Sequence, residues 1–333
     1  MLASKSKRWL KKALVSSSIL RLASRLTPPS AAILAYHSVE EAPPLTNHIF
    51  GASTSRAQFE EHMKTLARKF RPVSLEDVVQ FAKSGRQVPL GAVAVTFDDG
   101  FADNHEVALP ILNRYSIPAS FYIMVNAVEN GTLPWYCRLR FAFHATNKME
   151  WNEPASGRTF RLDVPEERRG ALNLAWDTGA KLTGSVQDQF IGAVEEALGT
   201  EPANAPHGYM MTWEQVRGLR KAGHTVGAHT LSHPNVAQVS ASEARSEIIE
   251  SKRQLEEKMG EAIEHFSYPH PALSPCWSGQ TLELTREAGY KSAVLTTHGQ
   301  VRAGDEPLAL KRINTPSDLV QFTLNLQRTF AGR

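Results

Sequence analysis

Two six-residue stretches, Ala31–Tyr36 (AAILAY) and Ala92–Phe97 (AVAVTF), are apolar at almost every position and not at alternate ones. Runs of that length read as fully buried strands. What surrounds them reads as their cover. Ser55 can cap a helix that carries Phe59, Met63, Leu66 and Phe70 on one face. Residues 107–115 read as a helix and 119–125 as a third strand. Thr212 with Gln215 and Ser240 with Glu243 form capping boxes, the second opening a helix to about Met259. Residues 225–228, 265–268 and 291–295 read as strands, and 280–288 as a helix. Strands alternating with helices predict a mostly parallel sheet, and this many units predict an irregular barrel.

Between about residues 131 and 207 this rhythm is lost in a stretch rich in Trp, Arg and Glu. It reads as an insertion in one domain spanning 29–330. It is expected to cover the substrate end, to set specificity and to be separable from any metal site. The 333 residues suffice for such a domain.

Of the 37 Lys and Arg, seven (Lys5, Lys7, Arg8, Lys11, Lys12, Arg21, Arg25) precede the first acid, Glu40, which leaves 30 against 34 acids in the rest. The basic excess therefore belongs to a tail at 1–28, and no nucleic-acid partner is expected. Trp9, Leu10, Ala13 and Leu14 can stripe a short basic helix, giving weak contact with a membrane surface. The apolar stretch of the tail is too weak for a secretory signal, so a cytoplasmic location, peripheral to the membrane, is expected, with export not excluded. Cys137 and Cys276 suggest neither a disulfide framework nor a zinc knuckle.

Chemistry concentrates at two places. Thr96-Phe97-Asp98-Asp99-Gly100 ends a buried strand with two adjacent carboxylates, and the C-terminal ends of parallel strands are where sites are built. Neighbouring side chains point different ways, so one carboxylate can bind a metal while the other faces substrate. A plain helix cap is the alternative. His229-Thr230-Leu231-Ser232-His233 follows another strand, and two imidazoles at this spacing can converge on one ion from a helical turn or a tight loop. An ordinary surface turn is the alternative. Asp99, His229 and His233 together would leave a cation coordination positions for water, as in an open catalytic site.

The pair TFDDG and, far downstream, HTLSH resembles the first two motifs of the polysaccharide deacetylases, the NodB-homology domain of carbohydrate esterase family four. The resemblance spans roughly residues 31–136 and 208–315. It implies a distorted (β/α) barrel, Asp98 as general base, and Asp99, His229 and His233 as ligands of one divalent metal ion, zinc foremost, with cobalt, nickel or manganese as substitutes. The family's third motif usually reads Arg-x-Pro-Tyr. Here Phe266-Ser267-Tyr268-Pro269-His270-Pro271 has Ser267 where the arginine is expected. The usual late Leu-x-His is missing, and Leu308 to Ile313 reads LALKRI. Leu34-Ala35-Tyr36-His37-Ser38 is similar to that missing piece moved to the N-terminus, as in the permuted branch of poly-N-acetylglucosamine deacetylases. His37 then becomes the candidate acid, with Arg312 as a replacement beside Asp98 and His270 as a further accessory residue.

The expected function is metal-dependent hydrolysis of N-acetyl groups from amino sugars of a polysaccharide, a lipid-linked glycan or a glycan precursor. The alternatives are an amidase or esterase on another substrate, and a non-catalytic glycan-binding or scaffold protein. Trp135, Tyr136, Trp176, Tyr209, Trp213 and Trp277 are candidates for stacking on sugar rings or for core.

Overall fold

A computed structural model describes residues 26–41, 53–154, 157–200, 208–271, 273–316 and 318–332. Most of the basic tail assigned to 1–28 lies outside these residues. Seven strands make the frame: β1 (Ala31–Tyr36), β2 (Ala92–Phe97), β3 (Ala119–Ile123), β4 (Thr225–Ala228), β5 (His265–Ser267), β6 (Ser292–His298) and β7 (Leu310–Asn314). Each pairs in parallel with the next in chain order. β1 pairs with both β2 and β7, so the sheet closes into the expected barrel, with one strand fewer than a regular eight-stranded one. The β1–β2 register runs unbroken from Ala31 opposite Ala92 to Tyr36 opposite Phe97.

Side chains alternate between two layers along these strands. Ala32, Leu34 and Tyr36 belong to the large cluster that includes Phe59, Met63 and Leu66 of the helix Arg56–Lys69. Ala31 and Ile33 join a second cluster with Ala92, Ala94, Val294 and Leu310, which the helix Leu75–Ser84 covers with Leu75, Val78, Val79 and Phe81. The beginnings of the strands thus hold a small, largely apolar layer inside the barrel. Helix starts are where the capping residues put them. Ser55 with Gln58, Thr212 with Gln215 and Ser240 with Glu243 all make reciprocal capping boxes.

Several expectations are corrected. The strand over 119–125 stops at Ile123, and Val125 opens a helix, Val125–Asn130. The reason is local. Val125 N–H donates to the Thr230 carbonyl, and Asn126 N–H to that of Leu231, so this backbone leaves the ladder to brace another loop. The helix over 107–115 begins earlier, as a wide turn at Asn104–Ala108 that runs into Leu109–Arg114. LALKRI, not read as a strand, supplies all of β7 but its last residue, and Arg312 there is as buried as its apolar neighbours. The segment 131–207 is ordered over its described part. It forms the helices Trp135–Ala145, Pro165–Gly179 and Gly184–Ala197 and an antiparallel pair, Glu150–Asn152 with Thr159–Arg161. Its first helix buries Trp135, Tyr136, Leu139, Ala142 and Phe143 on one face and Cys137 off it, with Arg138, Arg140 and Phe141 partly buried between them, so the apolar pattern is broken in the sequence. Both cysteines are free and buried.

Inside the barrel the Tyr122 ring on β3 lies against Gly227 of β4. A Cβ at Gly227 would stand 2.6 Å from Tyr122 Cδ1 and 2.7 Å from the His265 carbonyl oxygen. Gly227→Ala is therefore expected to destabilise the fold by about 1–3 kcal/mol through overpacking, read as a lower urea midpoint. An unchanged midpoint would show that Tyr122 can yield.

Candidate active site and metal centre

β2 delivers two carboxylates to the C-terminal rim and then turns. Asp98 N–H still bonds to the Tyr36 carbonyl of β1 at 3.0 Å. Asp99 then adopts φ 78° and Gly100 φ 87°, left-handed values that only glycine adopts freely. The kink separates the two side chains. Asp98 points at Arg312 of β7, whose Nη1 and Nη2 donate to Oδ1 and Oδ2 at 2.8 and 2.6 Å. The other bonds of the guanidinium go to Thr96 Oγ1, the Leu295 carbonyl and Ser267 Oγ. Every nitrogen of this wholly buried arginine is thus engaged. Ser267, found where the family pattern has arginine, gives Arg312 room and accepts one of its N–H groups. Burial alone would raise the pKa of Asp98. The charge of Arg312, helped by His229, outweighs it and holds the carboxyl below its ordinary value.

Asp99 faces the other way. His229 and His233 approach it on a tight loop after β4, which settles the choice between loop and helical turn. Both Nε2 atoms stand 3.4 Å from Asp99 Oδ1. That oxygen is buried and has no hydrogen-bond partner among the described residues. The ring of His229 is oriented from behind, since Nδ1 lies 2.8 Å from the Ser267 carbonyl. This bond puts the proton on Nδ1 and leaves the Nε2 lone pair facing Asp99. An orphaned carboxylate oxygen with two imidazole nitrogens fits a bound cation. Donor atoms each about 2.0–2.1 Å from a tetrahedral zinc would themselves be roughly 3.4 Å apart.

The ligand loop is strained and held. Thr230 and His233 have φ of 63° and 59°. Glu247, buried on the helix Ala241–Met259, accepts from the N–H groups of Leu231 and Ser232 and from the Ser232 hydroxyl. Sequence reasoning missed Glu247. Its only signal is a carboxylate on the apolar stripe formed by Ala244, Ile248, Ser251 and Leu255.

His37 and His270 share one cavity of about 170 Å³ with Asp98, Asp99, His229 and His233. His37 follows β1, and its carbonyl is anchored by Asn104 Nδ2 at 2.8 Å, while its ring has no hydrogen-bond partner among the described residues. His270 has both ring nitrogens engaged, with Thr296 Oγ1 and the Leu273 carbonyl, each at 3.1 Å. Arg312 meets its expected place beside Asp98.

The insertion completes the wall. Trp135 Nε1 donates to the His233 carbonyl at 3.1 Å, and the Tyr136 ring packs 4.9 Å from that of His233. Its first helix thus stands directly behind His233, so removing the segment is expected to disturb this side of the cluster as well as the substrate end. Trp135 and Tyr136 are almost wholly buried, so they are wall and not sugar platforms. Trp176 does line the cavity. Trp213 bonds to Glu129, away from it.

Comparison with known proteins agrees with this geometry. A family model described as "Polysaccharide deacetylase" matches residues 85–293. YxkH of Bacillus subtilis (strain 168) is 18% identical over 287 residues, 86% of this chain and 71% of that protein. The poly-beta-1,6-N-acetyl-D-glucosamine N-deacetylase of Staphylococcus aureus is 33% identical over 109 residues, 30% of this chain and 37% of that protein. Among solved structures, the Streptococcus pyogenes deacetylase PplD superposes with a TM-score of 0.61 at 20% identity, over 91% of this chain and 99% of the other.

Two predictions follow from the geometry of the site. Removing either member of the Asp98–Arg312 pair strands a buried charge and should cost about 3–5 kcal/mol. The double variant Asp98→Asn, Arg312→Met should lose less than the sum of the single losses, measured by denaturant unfolding. Additive losses would mean that the two groups do not depend on each other. Separately, the His229→Ala, His233→Ala variant should fold yet fail to retain stoichiometric metal by elemental analysis. Full occupancy would remove these residues as ligands.

Proposed function

The chain belongs to the polysaccharide deacetylase family, and we propose on that premise that it hydrolyses N-acetyl groups of amino sugars in a polysaccharide, lipid-linked glycan or glycan precursor. The observation that carries this reading is the single small cavity into which Asp98, His37 and the Asp99–His229–His233 cluster all open. The S. aureus relative, named for a polymer of N-acetyl-D-glucosamine, supports an N-acetylhexosamine as the substrate unit.

Asp99, His229 and His233 would hold one divalent cation, with zinc foremost and cobalt, nickel or manganese as substitutes. When bound, the cation supplies Lewis-acid polarisation of the acetyl carbonyl. Asp98 accepts the proton of the attacking water, and Arg312 keeps it ionised and aimed. His37 donates a proton to the departing amine, a poor leaving group until protonated. Imidazole is the side chain that most readily does so near neutral pH. His270, with both nitrogens held by the protein, orients the wall opposite.

Acetate release from N-acetylglucosamine oligomers, assayed with added divalent metal, tests the reaction. Asp98→Asn should retain metal and lower turnover roughly 10²–10⁴-fold. An acetate ester of an activated phenol separates the acid from the rest, since its leaving group scarcely needs a proton. His37→Ala should lose far more activity on the amide than on the ester. Equal losses would make His37 a positioning residue, and a loss confined to the amide in His270→Ala would move the acid there.

A further inference from the structure

The catalytic cavity is too small to hold a glycan. Sites that bury a whole small ligand have roughly 300–1,000 Å³, against about 170 Å³ here. The space that remains for the substrate is an outer groove of about 540 Å³, which shares Arg140, Trp176 and Pro271 with the cavity and adds Arg169 and Asp177. Both arginines come from the insertion.

Arg140 is held in an unusual state. Its guanidinium lies over the Trp176 ring, 4.7 Å from the centroid. That ring is itself pinned by a bond from Nε1 to the Pro271 carbonyl at 2.5 Å. Arg140 Nε is buried and has no hydrogen-bond partner, and no carboxylate pairs with the side chain among the described residues. Its neighbours are satisfied. Arg138, on the same helix, makes a two-pronged pair with Glu195 at 2.9 and 2.6 Å. Arg168 donates to the carbonyls of Leu162 and Phe143. A half-buried guanidinium left unpaired is costly, and the terminal nitrogens of Arg140, on the groove and without a partner among the described residues, suit a two-pronged oxyanion. Arg169 stands on the same groove, and the acid there, Asp177, balances only one of the two cations.

We infer that this groove binds an oxyanion, phosphate or carboxylate, carried by the substrate next to the N-acetylhexosamine, so that the enzyme acts on anionic amino-sugar glycans in preference to neutral ones. The inference rests on the deacetylase reading and specifies its substrate class. Arg140 grips the oxyanion and Arg169 adds charge from the rim, while the acetamido group enters the cavity.

Acetate release by the metal-loaded full chain tests this on three probes. One is a neutral N-acetylglucosamine tetramer. The second is a tetramer alternating N-acetylglucosamine with glucuronate. The third is N-acetylglucosamine with a phosphate at its reducing end. At least one anionic probe should exceed the neutral one in kcat/KM by roughly tenfold or more, and the better of the two identifies the oxyanion. That advantage should shrink in 0.5 M salt and fall about tenfold in Arg140→Gln. Arg169→Gln, a change at the exposed rim, should lower it in the same direction and serves if the first variant folds poorly. Release from the neutral tetramer with no anionic advantage, or an advantage that survives both substitutions, overturns the subsite alone. No release from any probe overturns the deacetylase reading and the subsite with it.

Discussion

A guanidinium with no route to water organises the upper half of this barrel. Arg312 starts on β7 and reaches β6 through the Leu295 carbonyl, β5 through Ser267, and β2 through Thr96 and Asp98. Four of the seven strands are thus tied by one side chain. The tie has meaning only because the ring is closed. β1 lies between β7 and β2 and pairs with both, so β7 and β2 are two strands apart and Arg312 can span the interior. The layer beneath it explains why the pair must be so complete. Ala31, Ile33, Ala92 and Ala94 offer no polar atom to a displaced charge, and the single hydroxyl of Tyr122 in the same layer cannot replace a counter-charge.

The same closure explains how a site can survive when its parts change places along the chain. What a strand contributes to the rim depends on its neighbours in the ring and not on its number in sequence. His37 ends a strand that lies beside the one carrying Asp98, although 61 residues separate them in sequence. Ser267 and Arg312 show the principle at one atom pair. A long cation on β5 would fill the space that Arg312 enters, and a short hydroxyl there lets β7 supply the charge.

How much of this could be read beforehand follows from the range of each interaction. Continuous apolar runs and capping boxes are local, and β1, β2 and the helix starts at Ser55, Thr212 and Ser240 stand where they were expected. The Asp pair and the His pair are also local, since each occupies one turn of chain. β7 was hidden because a buried arginine reads as a surface residue until its partner, 214 positions earlier, is known. Glu247 was hidden for the same reason, because its acceptor role exists only once the Leu231–Ser232 backbone is delivered to it. The first helix of the insertion was hidden because Arg138 and Arg140 fall between its buried residues and break up the apolar pattern that marks a helix packed on one face.

That helix, Trp135–Ala145, also ties the Asp99–His229–His233 cluster to the outer groove. Trp135 and Tyr136 back His233, and Arg140, one turn further on, faces the outer groove from over Trp176. A displacement of the helix that moved Arg140 relative to the groove would also move the support of His233. His233 already sits in a left-handed backbone conformation with little conformational freedom to absorb the change. Loss of the segment would therefore remove Arg140 and Arg169 from the groove and the support behind His233 together. Substitution at outward positions of these helices, of which residues 140 and 169 carry positive charge on the groove, leaves the support behind His233 in place.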